Sequence, residues 1–108
     1  FYPDRKRWII FGAMRDKAVA EMSALLFPLA DELILTAADS PRSMPPAELA
    51  ALAPQGRPVP NIVKALKLVA SEASADDIVV ITGSLFLVGE ARAASYNKNS
   101  WPFSGAWS

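Results

Sequence analysis

The sequence contains no cysteine and no histidine among its 108 residues. Without cysteine, disulfide frameworks and zinc-finger spacings are excluded. Without histidine, Ser-His and Cys-His catalytic arrangements and histidine-ligated metals are excluded as well. Eleven Lys and Arg balance eleven Asp and Glu, so bulk charge favours neither a nucleic acid nor an anionic membrane as a partner. No apolar run reaches the roughly 18 residues that a membrane span requires.

The remaining composition suits one globular domain. About 52% of the residues are hydrophobic, which is ample for the core of a domain of this length. There is no secretory signal and the first residue is not Met, so we interpret the chain as a piece of a longer polypeptide. We expect residues 1–94 to form the domain. Residues 95–108 lack periodicity and are expected to form an aromatic-containing tail, either docked or disordered.

Three apolar runs predict buried strands, at residues 8–12, 33–36 and 78–82. Such continuous runs are typical of parallel sheets, whose strands are buried on both faces. Helical periodicity fills the segments between them, and Asn61 is the expected cap of the helix before the last strand. The alternation of strands and helices predicts an α/β fold, with a mainly parallel sheet between helices.

Apolar spacing also predicts which helix residues face the core. We expect Leu25 to lie on the apolar face of the first helix, and Leu49 and Leu52 to face inward in a short helix of the proline-rich middle. A last helix is expected to run through Leu85 and Ala91. Gly89 lies inside that last helix and costs about 1 kcal/mol relative to alanine. We interpret it as a sign of close packing against the sheet.

Ligands of parallel sheets bind at the carboxyl ends of the strands, where two loops of this sequence qualify. The first runs from Gly12 to Lys17 and enters a helix, a place that favours an anion. Arg15 and Lys17 add positive charge, and Asp16 can accept a hydrogen bond from a ligand amine or hydroxyl. Neither G-x-G-x-x-G nor G-x-x-x-x-G-K-[ST] is present. A polar turn with Asp16 as the helix N-cap fits the same residues.

The second loop is the turn at Gly83 and Ser84. Glycine lets the backbone approach a ligand closely, and Ser84 would present a hydroxyl and an N–H at a helix N-terminus, which suits a carboxylate. An ordinary serine cap is the alternative. Asp76 and Asp77 precede their strand and therefore lie at the opposite edge of the sheet, so we predict no metal site there. No nucleophile, base or phosphate loop is complete, and no catalytic residue is expected.

Two stretches carry a family resemblance, FGAMRDK at residues 11–17 and ITGSLFLVGE at residues 81–90. Together they resemble the C-terminal domain of the folylpolyglutamate synthases, many of which are also dihydrofolate synthases, within the Mur ligase family. The resemblance covers about residues 8–94 and implies a Rossmann-like three-layer sandwich. The Asp-x-Ala-His-Asn segment of the family, whose aspartate meets the ATP ribose, would precede this chain. The family's first strand and helix would be missing with it.

The resemblance also implies a function. The full-length enzymes are cytoplasmic ligases of folate biosynthesis that use ATP and Mg²⁺ to join glutamate to a folate through an acyl phosphate. A central ATPase domain supplies the phosphate loop and the magnesium site, and the C-terminal domain closes over the nucleotide and helps to hold glutamate. Lys17 and Ser84 match the lysine and serine that approach the amino acid's carboxylate in the wider group. Arg15, Asp16 and Gly83 are their candidate neighbours in the glutamate site.

The sequence departs from the family at Ala18, where an acidic residue is common. Because the ATP-ribose and folate segments would lie elsewhere, we expect this chain alone to bind no cofactor and to be inactive. The sequence does not distinguish folylpolyglutamate synthesis from dihydrofolate synthesis. Two other functions stay open: a free-standing Rossmann-like module for a small anion, and a structural interaction domain whose tryptophan-bearing tail is adhesive.

Overall fold

Strands and helices alternate along the chain as the apolar runs predict. The structure is a computed structural model that describes residues 5–15 and 19–95. The strands are β1 (Arg7–Gly12), β2 (Glu32–Leu35), β3 (Arg57–Pro58) and β4 (Ile78–Gly83). The helices are α1 (Val19–Leu26), α2 (Pro46–Leu52), α3 (Ile62–Glu72) and α4 (Leu85–Ser95), with a 3-10 turn at Phe27–Leu29.

The strands form one parallel sheet in the order β3-β2-β1-β4. β1 lies inside the sheet, where it pairs with β2 on one side and with all six residues of β4 on the other. The chain moves from β1 outward to β3 and then returns through α3 to the far side of β1. The strand order therefore reverses at β1, and the carboxyl ends of β1 and β4 flank the point where sheets of this class bind ligands.

Alternate residues of β1 enter two separate cores, one on each face of the sheet. Trp8 and Ile10 join the core that is completed by α3 and α4. Ile9 and Phe11 join the core that is completed by α1 and α2. All four side chains are exposed by 2% or less, and burial of a large apolar side chain contributes about 1.5–3 kcal/mol. The expected three-layer α/β sandwich is confirmed.

The buried faces of α1 and α2 differ from the predicted ones. Leu25 is 76% exposed, whereas the small polar Ser23 is buried and donates its hydroxyl proton to a backbone carbonyl of its own helix. α2 buries Leu49 as expected but leaves Leu52 47% exposed. The inward predictions for Leu25 and Leu52 are wrong because each of these short helices touches the sheet along only part of its apolar stripe.

The last helix is confirmed as α4, and it buries only part of its apolar surface. Leu87 and Ala91 are its fully buried residues, and Leu85 is 88% exposed. A Cβ atom placed on Gly89 would meet no other atom within 4 Å. Gly89 therefore lies on the open side of α4, and its interpretation as a close-packing residue is wrong.

The tail predicted at residues 95–108 lies outside the described residues except for Ser95, which ends α4. The boundary of the domain therefore stays a prediction.

Across residues 5–15 and 19–95, no helix has the length and apolar character needed to cross a membrane.

Candidate functional site

The turn after β4 contacts the start of the loop after β1 at the carboxyl edge of the sheet. Gly12 and Gly83 are paired in the β1–β4 register, and the N–H of Ser84 donates to the carbonyl oxygen of Gly12 at 2.7 Å. The structure thus brings Gly83 and Ser84 against the first loop, as the position of the two loops predicts. Asp16 and Lys17 lie outside the described residues, so their place at this edge stays a prediction.

Glycine is required on both sides of this contact. Gly83 has a φ of +112°, which side chains rarely adopt, and a Cβ atom there would overlap the carbonyl oxygen of Gly12. A Cβ atom on Gly12 would lie 2.9 Å from the carbonyl oxygen of Thr36 and 2.9 Å from a methyl carbon of Leu87. The two strand ends meet closely only because neither residue has a side chain.

Ser84 is the N-cap of α4. Its hydroxyl oxygen accepts from the N–H of Phe86 at 3.1 Å and from the N–H of Leu87 at 3.4 Å, and the residue is 4% exposed. The cap interpretation is therefore confirmed. A hydroxyl that accepts still has a proton to donate, and the positive end of the helix dipole favours an anion beside it. The hydroxyl of Ser84 can therefore cap α4 with its oxygen and still donate its proton to a ligand carboxylate.

Arg15 is held on the other side of the first loop, toward α2. Its backbone N–H donates to the carbonyl oxygen of Arg42 at 2.8 Å, and its guanidinium donates to a carboxylate oxygen of Glu48 at 2.9 Å. Both side chains of this ion pair are about half exposed, and exposed pairs contribute only about 0.2–1 kcal/mol. A ligand carboxylate would have to compete with Glu48 for Arg15, a competitor that the sequence pattern did not reveal.

Two polar residues at the carboxyl side were missed by sequence reasoning. Thr36 directly follows β2, is fully buried, and its hydroxyl has no hydrogen-bond partner in the described part of the chain. Glu90 of α4 accepts the N–H of Asp39 at 2.7 Å and thereby ties α4 to the loop after β2. The contact of Glu90 with Asp39 depends on the order of the strands, so the motif at residues 81–90 does not reveal it. Thr36 belongs to no recognisable motif.

The amino edge of the sheet carries a structural carboxylate. Asp77 accepts the indole N–H of Trp8 at 2.9 Å and the backbone N–H of Ser74 at 2.9 Å. The bond from Ser74 is the main reason that the pKa of Asp77 lies below its ordinary value, and the bond from Trp8 lowers it further. At the same edge, the backbone N–H of Arg7 lowers the pKa of Asp31. Both aspartates hold the entry to β1 in place.

Metal-ligating side chains are not grouped in the described part of the chain. Over residues 5–15 and 19–95, no three Asp, Glu, His or Cys side chains come close enough together to hold a metal ion. The described residues therefore offer no such cluster of ligands for a magnesium ion.

Comparison with known proteins adds a family match to this geometry. The model of the Mur ligase glutamate ligase domain matches residues 1–85. Among solved structures, the chain is similar to a bifunctional folylpolyglutamate synthase/dihydrofolate synthase from Yersinia pestis complexed with AMPPNP and Mn ion. The identity is 25% and the TM-score 0.80, over 86% of this chain and 23% of that chain. No curated protein sequence matches the chain.

Two more solved structures share the fold at similar identity. One is a Mycobacterium tuberculosis folylpolyglutamate synthase complexed with ADP and AMPPCP, at 26% identity and a TM-score of 0.72, over 82% of this chain and 23% of that chain. The other is a bifunctional enzyme with Mn, AMPPNP and L-glutamate bound, at 26% identity and a TM-score of 0.73, over 86% of this chain and 23% of that chain. The chain thus spans less than a quarter of the length of these relatives.

Proposed function

The chain belongs to the glutamate ligase domain family of the Mur ligases, and we propose that it works as the C-terminal domain of an ATP-dependent ligase that joins glutamate to folate. The similarity to folylpolyglutamate synthases at 25–26% identity supports this substrate class. The neighbour with L-glutamate bound supports glutamate as the incoming amino acid. The proposed whole enzyme acts in the cytoplasm, and its central domain holds ATP and Mg²⁺.

The observation that carries the proposal is the contact between the two strand ends. The Gly12–Gly83 pairing holds Ser84 beside the first loop, at the point where the strand order reverses. In the proposed site, the ammonium group of Lys17 and the hydroxyl of Ser84 bind the carboxylate of glutamate, next to the N-terminus of α4. Charge-assisted hydrogen bonds of this kind are short and directional. They would orient the glutamate amine toward the folate acyl phosphate, whose phosphate leaves when the amide bond forms.

The test is steady-state kinetics of the full-length enzyme with Lys17→Ala and Ser84→Ala. A hydrogen bond to a charged group contributes about 1.5–3 kcal/mol, so we expect the glutamate KM to rise about 10- to 100-fold. The ATP KM should stay near that of the wild type. Lys67→Ala and Ser71→Ala are matched controls, because both residues are exposed on α3. A parallel rise in the KM of both substrates would overturn the assignment.

The cap role of Ser84 needs its own control, because its loss costs about 0.5–2 kcal/mol of stability. Ser84→Asp keeps an oxygen that accepts from the first turn of α4, but it cannot donate when ionised and it repels a carboxylate. We expect the aspartate variant to melt near the wild-type temperature and still to show a raised glutamate KM. If the glutamate KM of this variant equals that of the wild type, Ser84 serves only as the N-cap of α4 and does not bind glutamate.

The domain alone is proposed to be inactive, because the family resemblance assigns ATP binding and folate recognition to other segments. Incubation of the 108-residue chain with ATP, Mg²⁺, glutamate and a folate should give no glutamylated product by mass spectrometry. Product formed by this chain alone would contradict the division of labour that we propose.

A further inference from the structure

The turn after β4 fixes only the start of the first loop, at Gly12. Further along this loop, Met14 forms an antiparallel bridge with Ser43. The N–H of Arg15 donates to the carbonyl oxygen of Arg42 at 2.8 Å. The middle of the loop, which leads to the candidate lysine, therefore takes its position from the segment that contains Arg42 and Ser43.

That linking segment (residues 39–44) is bound to α4 at its other end. The N–H of Asp39 donates to a carboxylate oxygen of Glu90 at 2.7 Å. Asp39 is exposed, so the burial of its own side chain does not fix it. Within the segment, the N–H of Ser43 donates to the carbonyl oxygen of Ser40 at 3.0 Å, which closes a turn. A change in the position of Asp39 would therefore be transmitted through this turn to the first loop.

The same helix carries both Glu90 and the serine of the candidate site. Ser84 caps α4, and Glu90 lies about 9 Å further along the helix axis, at a rise of about 1.5 Å per residue. Leu87 and Ala91 are fully buried and fix the helix against the core. Because an anchored helix keeps its residues at constant separation, α4 sets the position of Ser84 and that of the linking segment together.

We propose that Glu90 is a positioning residue of the glutamate site, which holds the first loop at the separation from Ser84 that one ligand carboxylate can bridge. This inference rests on the proposed ligase function. Glu90 itself touches no substrate: it accepts from the backbone of the linking segment, and the segment holds the part of the loop that leads to Lys17. A misplacement of about 1 Å can slow a reaction about 100-fold. The role therefore requires an acceptor oxygen at the reach of a glutamate side chain, and it does not require a negative charge.

Three variants of the full-length enzyme separate the reach of this side chain from its charge. Glu90→Gln keeps an acceptor oxygen at the same reach, Glu90→Asp keeps the charge on a shorter side chain, and Glu90→Ala removes both. We expect the aspartate and alanine variants to raise the glutamate KM about 3- to 10-fold, and the glutamine variant to stay within about twofold of the wild type. The ATP KM should not change. Glu72→Ala is the matched control, because Glu72 ends α3 and accepts from Arg57 at 3.0 Å, away from the candidate site.

Amide hydrogen exchange of the 108-residue chain tests the same link without the ligase reaction. In Glu90→Ala and Glu90→Asp, the amides of Asp39, Arg15 and Met44 should exchange about 3- to 10-fold faster than in the wild type. In Glu90→Gln and in the Glu72→Ala control they should exchange at the wild-type rate. If exchange at Arg15 and Met44 is unchanged in the alanine and aspartate variants, the positioning role is wrong, whatever the kinetics show.

The two measurements together distinguish the failure of this role from the failure of the proposed function. If Lys17→Ala and Ser84→Ala raise the glutamate KM but Glu90→Ala and Glu90→Asp do not, the positioning role is wrong and the glutamate site stands. The role is also wrong if Glu90→Gln raises the glutamate KM as much as Glu90→Ala. If neither Lys17→Ala nor Ser84→Ala changes the glutamate KM, the proposed site is wrong and the role of Glu90 falls with it. Should Glu90→Ala not fold, the aspartate and glutamine variants decide.

Discussion

Replacement of Gly83 by alanine is the sharpest test of the contact that forms the candidate site. The residue has a φ of +112°, and its new Cβ atom would overlap the carbonyl oxygen of Gly12. Forcing a side chain into such a backbone conformation costs about 1–3 kcal/mol. Displacing β4 would also weaken the hydrogen bond from Ser84 to Gly12, worth about 0.5–1.5 kcal/mol. Together these effects predict a loss of about 2–4 kcal/mol.

Thermal unfolding of the 108-residue chain measures this loss. For a domain of this size the loss corresponds to a fall in Tm of about 10–20 °C. Gly89→Ala is the matched control, because the added Cβ atom would contact nothing beyond its chain neighbours and the backbone of its own helix. Alanine is better than glycine in a helix by about 1 kcal/mol, so this variant should melt a few degrees higher. A Gly83→Ala chain that melts within 2 °C of the wild type would refute the reasoning, and so would a Gly89→Ala chain that melts lower.

The remaining predictions concern pH and packing. Because the folded pKa of Asp77 lies below its ordinary value, its contribution to stability is complete above the unfolded pKa of about 3.9 and is lost as pH falls through the folded pKa. Urea unfolding should therefore show that Asp77→Asn destabilises the chain more at pH 6 than at pH 3, and an equal loss at the two pH values would contradict the assigned hydrogen bonds of Asp77. Leu35→Ala, at a fully buried site, should cost about 2–5 kcal/mol. Leu25→Ala, at a 76% exposed site, should change stability by no more than about 0.5 kcal/mol; equal losses in the two leucine variants would contradict the assigned faces.

The sequence predicted β1, β2 and β4 well because each contains a continuous apolar run that ends in a polar residue or glycine, whereas the Arg-Pro strand β3 has no such run. It predicted the buried helix faces less well. Leu25 and Leu52 satisfy the helical period but are exposed, since the period predicts an apolar stripe along the helix and not the part of that stripe that the sheet covers. The edge position of β4 could not be foreseen either. Its five β-branched residues are typical of any strand, and the crossover through α3 places it beside β1 at one end of the described sheet.

The candidate site was predictable where it depends on topology and unpredictable where it depends on distant partners. The carboxyl-edge rule was enough to expect Gly12 and Ser84 to be neighbours. The ion pair of Arg15 with Glu48 joins residues 33 positions apart, and no local pattern connects them. The family resemblance, carried by the two loop stretches, is confirmed by the match over residues 1–85.

The hydroxyl of Ser84 and the guanidinium of Arg15 are positioned by interactions of different strength, and this difference affects how a ligand could bind. Ser84 is fixed by its backbone bond to Gly12 and by its cap of α4, so its hydroxyl is in place before any ligand arrives. The side chain of Arg15 is held by an exposed ion pair with Glu48, which a competing carboxylate can replace at a cost of about 0.2–1 kcal/mol. A ligand carboxylate would therefore meet a pre-positioned donor on the β4 side and an exchangeable one on the α2 side. In such a site Ser84 would set the position of the ligand, and Arg15 would add charge only after leaving Glu48.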